Sequence, residues 1–273
     1  MSYIKLVNFE VQRFFKFFIA LVVVVATTQV IAAFLSASNY KDQAETVMQR
    51  EKLLALDYVT NYGSYSIFNF FNNSLFLLSI MFAAAMLMIY IFFIWYRDWL
   101  GKSSFIYRLL MLPTERRNVY FAKLTAILLF VFCIVGVQVL LVQVAELIMK
   151  WVIPAELLIE SGVIIAYSYE LMSILYPKTM VHFLVSYGVG TAFVAMIFTA
   201  ILVERSYHLK GIFIAGVYIT LSLALLLVPV FIGYYTDYFY VKELLMMVVF
   251  MALIVFVSSV IIANYLLKRK INV

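Results

Sequence analysis

Six stretches of the chain run without an acidic or basic side chain for nineteen residues or more, at residues 17–35, 75–96, 124–145, 179–203, 211–236 and 244–267. A charge at the centre of a bilayer costs about 2.5 to 3.5 kcal/mol on insertion scales, and a span needs about 20 apolar residues. Each stretch is therefore long enough to cross a membrane. None alternates apolar with polar positions as barrel strands do, so all six read as helices. The pattern predicts an all-α polytopic membrane protein with one domain over residues 1–273, its six transmembrane helices at about 17–35, 72–96, 119–149, 179–203, 211–235 and 243–267. Residues 161–169 are also apolar, but they lie between Glu160 and Glu170 and are too short to cross, which suits an interfacial or re-entrant piece.

Helical periodicity continues outside the spans. Ile4, Val7, Val11, Phe14, Phe15 and Phe18 fall on one side of a helical wheel, with Lys5, Gln12 and Lys16 opposite, so residues 4–16 are expected to form an amphipathic elbow helix at the membrane surface. Between the second and third spans, residues 97–117 read as helix, break, helix. Ser103 or Ser104 can cap a short helix, Pro113 discourages its continuation, and Thr114 can cap the next with Glu115 in its first turn. A third helix from 115 to 149 would be about 52 Å long at 1.5 Å per residue and would project beyond the bilayer. A solvated basic turn is the plainer account of this connection, yet it would not need Phe105, Ile106, Leu109, Leu110 and Leu112 among the charges. Such an apolar face invites a protein partner. Residues 41–61 and 150–178 are expected to form further helices on the other side of the membrane, as lids or lying on the leaflet.

Composition agrees with this pattern: 66% of residues are hydrophobic and 12% charged, which excludes a soluble domain of this size. The charges then orient the chain. Fourteen of its 20 Lys and Arg fall on the side that holds both termini, so by the positive-inside rule both termini are expected in the cytoplasm, in the plasma membrane. The net charge of +6 is thus a property of membrane topology, and a nucleic-acid partner is not called for. The first apolar run exceeds the usual 7 to 15 residues of a signal-peptide core, so it is expected to be retained as a helix.

The chemistry of catalysis is thin. His182 and His208 are far apart, Cys133 sits in mid-span as a packing residue, and no acid pair or Gly-x-Ser-Gly loop suggests an intramembrane protease. Gly101-Lys102-Ser103 resembles the end of a phosphate-binding loop, but the pattern needs glycine five residues earlier, where Tyr96 stands. No enzyme activity, metal or cofactor is expected in this chain. Ionisable residues at membrane depth, which ion-coupled transport needs, are not seen either; the polar residues of the spans are Gln138, Gln143, Asn72 and Asn73, with Glu146 and Glu204 at helix ends. A transporter without its own energy coupling must borrow work from a partner.

Asp98-x-x-Gly101, followed by Leu109-Leu110-Met111-Leu112-Pro113-Thr114-Glu115-Arg116-Arg117 and a helix opening on Lys123-Leu124, resembles the permease subunits of ABC-2 type ATP-binding-cassette exporters. Asp98 stands where that family often has glutamate and Lys102 where threonine is common, and the connection between spans five and six is short. The resemblance implies an elbow helix, six spans, and a cytoplasmic coupling helix seated in a separate ATPase subunit. That subunit would bind ATP and Mg and hydrolyse the nucleotide, while a second permease subunit, identical or related, would complete the path within membrane lipid. Carried over residue by residue, the ATPase-coupling interface is Asp98, Gly101, Phe105, Ile106, Tyr107, Arg108, Leu109, Leu110, Pro113, Arg116 and Arg117. The expected cargo is amphipathic or hydrophobic, such as a peptide, antibiotic or lipid. A channel or secondary transporter, or a membrane scaffold or immunity protein without transport, are the other classes these residues leave open.

Overall fold

The computed structural model describes residues 3–100, 109, 111, 115–159, 169–236 and 238–270. Its elements, in chain order, are α1 (Tyr3–Glu51), α2 (Ala55–Tyr62), α3 (Ile67–Phe71), α4 (Ser74–Leu100), α5 (Arg116–Val152), a 3₁₀ turn (Ala155–Leu157), α6 (Glu170–Leu175), α7 (Met180–Phe183), a π-helical turn (Leu184–Gly188), α8 (Val189–Tyr235) and α9 (Val241–Arg269). Six helices are long and apolar enough to cross a membrane: Tyr3–Glu51, Ser74–Trp99, Arg116–Val152, Met180–Tyr207, Leu209–Tyr235 and Val241–Arg269. These hold the six intervals drawn from the sequence except for two end residues: Thr179 is the cap of the fourth, where its Oγ1 accepts from the His182 backbone N–H, and Thr236 stands just past the end of the fifth. Among the described residues there is no β-strand; a single bridge joins Tyr65 to Leu158.

Proline and left-handed residues set the breaks. Pro154 stands just beyond α5 and Pro177 between α6 and α7, because proline cannot donate to the preceding turn and disfavours a helical predecessor; Pro229 is the exception among the described residues, standing inside α8. At the end of α1, Lys52 adopts φ 53° and the Leu53 N–H returns to the Met48 carbonyl at 3.1 Å, a Schellman closure with lysine where glycine is usual.

The elbow needs correction. Residues 4–16 are the first turns of α1, which continues unbroken to Glu51, since no glycine or proline interrupts residues 3–51. Its buried stripe is Leu6, Glu10, Phe14, Phe18, Leu21 and Val25, whereas Ile4 and Phe15 are exposed. The wheel drawn from apolar residues alone missed that an acid belongs to the inner face. Residues 41–51 extend the same helix, so the helix expected over 41–61 is split at Lys52. Residues 101–108, 110, 112–114 and 160–168 carry the coupling-helix and re-entrant expectations, and they lie outside the described residues.

Two compact units divide the chain. The first comprises residues 1–15, 87–130 and 177–273. Here α8 holds both the fourth and fifth spans, and it turns sharply between them: a Cβ on Gly211 would lie 2.7 Å from the backbone oxygens of Val203 and Glu204. Seven residues of straight helix would separate such positions by about 10 Å of rise, so the axis must fold back, and only glycine fits. Thr199 and Tyr218, on either side of that turn, both hydrogen-bond to Ser259 of α9, the first to its carbonyl at 3.0 Å and the second to its hydroxyl at 2.6 Å.

The second unit comprises residues 16–86 and 131–176. Its core joins Ala32, Ala33, Ala37 and Ala44 of α1 to the rings of Tyr58, Tyr65, Phe70, Phe71 and Phe76 and to Val142, Ala145 and Met149 of α5. The run of alanines presents a smooth helix face on which large rings can lie close. Tyr65 donates its backbone N–H to Leu157 and accepts from Ile159, both at 2.9 Å, and its hydroxyl meets Ser36 Oγ at 2.7 Å.

Candidate functional site

Within the first unit, five ionisable side chains from three helices meet. Glu10 of α1, Asp98 of α4 and Lys123 of α5 are each at most 2% exposed. The Lys123 ammonium donates to Glu10 Oε1 at 2.7 Å, to Asp98 Oδ2 at 2.5 Å and to the Ile94 carbonyl at 3.0 Å, using all three of its N–H bonds. Arg13 donates to Asp98 Oδ1 at 2.8 Å, and Arg97 to Glu10 Oε2 at 3.0 Å. Every carboxylate oxygen in the cluster therefore faces a base. Burial of isolated charges would cost several kcal/mol per ion, and mutual pairing with saturated hydrogen bonds is the arrangement that offsets it.

Aromatic walls enclose these charges. The Lys123 ammonium lies 5.2 Å from the Trp95 ring centroid, a cation–π distance. Trp95 meets Phe198 edge to face at 5.5 Å, and Phe14 stacks on Tyr90 at 3.5 Å. The Tyr90 hydroxyl and the Trp95 Nε1 are buried with no hydrogen-bond partner among the described residues. Arg205 covers Tyr96 at 4.9 Å, and the Tyr96 hydroxyl donates to Glu204 at 2.5 Å.

The cluster brackets the connection between α4 and α5, with Asp98 just before it and Lys123 just after. Of the residues expected to form the coupling interface, Asp98 is fully buried and contributes through its pairing. Leu109 is 5% exposed, whereas Met111 is 68% exposed. Arg116 donates to the Leu267 carbonyl at 2.7 Å, capping the last turn of α9, and Arg117 pairs with Glu115. Gly101, Phe105, Ile106, Tyr107, Arg108, Leu110 and Pro113 lie outside the described residues.

Sequence reasoning counted Arg13, Arg97 and Lys123 only among the fourteen bases on the terminal side, and it did not single out Glu10. A signal was present: Glu10 interrupts an apolar stripe at helical spacing, and Lys123 sits among Val119, Tyr120, Ala122, Ala126 and Ile127, all at most 2% exposed.

The second unit has a polar network of another kind. Gln29 Nε2 donates to Gln138 Oε1 at 2.9 Å and to Ser79 Oγ at 3.0 Å, Gln138 Nε2 returns a bond to Gln29 Oε1 at 3.0 Å, and Ser79 Oγ donates to the Phe76 carbonyl at 2.7 Å. Gln143 and Cys133 are exposed, the latter against its expected packing role. Comparison with family models, curated proteins and solved structures finds no match for this chain.

Proposed function

We propose that the chain is a membrane-spanning permease subunit of an ABC-type exporter, working with a separate cytosolic ATPase and a second permease subunit in the plasma membrane, with both termini cytoplasmic. The observation that carries this reading is the buried cluster at the base of the α4–α5 connection. A force applied to that connection by a partner would not be absorbed locally. Asp98 and Lys123 are tied to each other and, through Glu10 and Arg13, to α1, so α1, α4 and α5 would respond together. ATP hydrolysis then belongs to the partner, and this chain turns nucleotide-driven closure into helix displacement that moves an amphipathic or hydrophobic cargo.

Buried carboxylates also favour a second reading, an ion-coupled transporter, because such groups carry protons or bind cations in that class. The saturation of all four carboxylate oxygens argues for a mechanical tie: a cation would have to displace a base from each oxygen it met.

The test is affinity purification of the tagged chain from its own membranes, with and without Met111→Asp. Met111 is exposed, so the substitution leaves the core alone, while a desolvated carboxylate at a contact costs several kcal/mol. A cytosolic ATPase is expected to copurify with the unaltered chain and to fall by tenfold or more with the variant at matched abundance. Absence of any ATPase, together with uptake or efflux driven by a proton or sodium gradient in reconstituted vesicles, would transfer the function to the second reading.

A further inference from the structure

We infer that the first unit carries a binding site for one anionic phospholipid, in the cleft between the start of α5 and the end of α9. The cleft holds about 190 Å³ and is lined by Arg117, Tyr120 and Phe121 from α5 and by Ala263, Asn264 and Leu267 from α9, among others. Its wall is apolar apart from two groups. Asn264 Oδ1 is buried without a hydrogen-bond partner among the described residues, and Arg117 stands at the mouth with its side chain about half exposed.

Charge complementarity selects the occupant. Lys268 lies one turn beyond Asn264 on the same face of α9, because residues four apart share a helix face. Arg269 and Lys270 follow it, and all three are exposed. Arg116 already caps the Leu267 carbonyl at 2.7 Å, which neutralises the negative end of α9; Arg269 lies over the Tyr265 ring and Lys270 over the Tyr207 ring, so Arg117 and Lys268 are the bases the cleft can use. The start of α5 adds the positive end of its own dipole. Among the described residues there the acid is Glu115, and it pairs with Arg117. A soluble anion would use the bases alone, and a neutral lipid the apolar wall alone. A lipid with a phosphate and no balancing headgroup amine uses both, and basic pockets between membrane helices bind such headgroups. The site is independent of the permease reading and needs only that the chain lie in a bilayer.

The experiment is native mass spectrometry of the purified full chain in mild detergent, titrated with dioleoyl-phosphatidylglycerol, dioleoyl-phosphatidylcholine or inorganic phosphate. One phosphatidylglycerol is expected to bind at least tenfold more tightly than phosphatidylcholine, and equimolar inorganic phosphate is expected not to displace it. The exposed-charge variant Arg117→Gln/Lys268→Gln is expected to lose about tenfold in affinity, and a charge-matched control, Lys16→Gln/Lys210→Gln, to stay within twofold. Val260→Trp, which fills the cleft from its rim and keeps every base, is expected to lose binding while retaining helical circular dichroism. Equal affinity for the two lipids, displacement by phosphate, equal loss in the control, or full binding by Val260→Trp would each overturn the site.

Discussion

The same three helices carry two buried polar networks of opposite character. In the first unit, α1, α4 and α5 contribute Glu10, Asp98 and Lys123, charges whose burial is tolerable only as a set. In the second, they contribute Gln29, Ser79 and Gln138, neutral groups that satisfy one another by ordinary hydrogen bonds. The difference lies in what remains when one member goes. Removing an amide leaves a dipole in need of a partner; removing a charge leaves its counter-ions buried and unpaired. The first unit is therefore a tie that either holds or fails, and the second is a joint that can loosen by degrees.

The largest expected effect follows directly. Lys123→Met leaves Glu10 and Asp98 without their shared cation and should cost roughly 3–5 kcal/mol, enough to abolish most folded protein. Adding Glu10→Gln and Asp98→Asn to that variant should restore much of the yield, because the stranded charges are gone. Detergent-resistant folded yield and thermal unfolding in micelles measure both. If the single and triple variants were equally damaged, the cluster would owe its importance to packing, and the contrast between the two networks would be lost.

That contrast was only partly legible in the sequence. Charge-free length determined the six spans, because insertion cost acts residue by residue and needs no knowledge of neighbours. The wheel of α1 placed Lys5, Gln12 and Lys16 outward, where they are exposed, but it left Glu10 out, whose partners are Lys123 and Arg97, more than eighty positions away. Gln138 was singled out as a polar residue inside a span, but its partner Gln29 was not, for the same reason. The fold-back of α8 at Gly211 was legible as a gap between spans, and its tightness was not.

A smaller effect probes the neutral network. Gln29→Leu leaves Gln138 with an unanswered amide and Ser79 with one bond fewer, and should cost about 1 kcal/mol, within the range measured for buried hydrogen bonds between membrane helices. The double variant Gln29→Leu/Gln138→Leu should be close to the unaltered chain in stability. A double-mutant cycle on thermal unfolding gives the coupling, and a value as large as that of the charged cluster would erase the distinction between the two.

The smallest effect uses the tyrosine that closes the second unit's core outside the spans. Burial raises the Tyr65 hydroxyl above its usual value of 10, while its bond with Ser36 works in the lowering direction. The folded state thus holds this proton more tightly than the unfolded chain does. Its contribution to stability is fully present below about pH 10 and is lost as pH rises through the higher folded value. Tyr65→Phe removes the Ser36 bond and the titration together, so at neutral pH it should cost about 1 kcal/mol. Above pH 10 the unaltered chain weakens through Tyr65 and the variant does not, and the gap between them should narrow. Tyr40, whose ring lies 5.0 Å from that of Tyr65, remains in both proteins and cancels in the difference. Hydrogen exchange of peptides from residues 55–71, compared between the two proteins at pH 8 and pH 11 after correction for intrinsic rate, would follow that gap. A gap that held constant with pH would mean that the Tyr65 hydroxyl titrates as an exposed phenol, so that this core would be no drier than the surface around it.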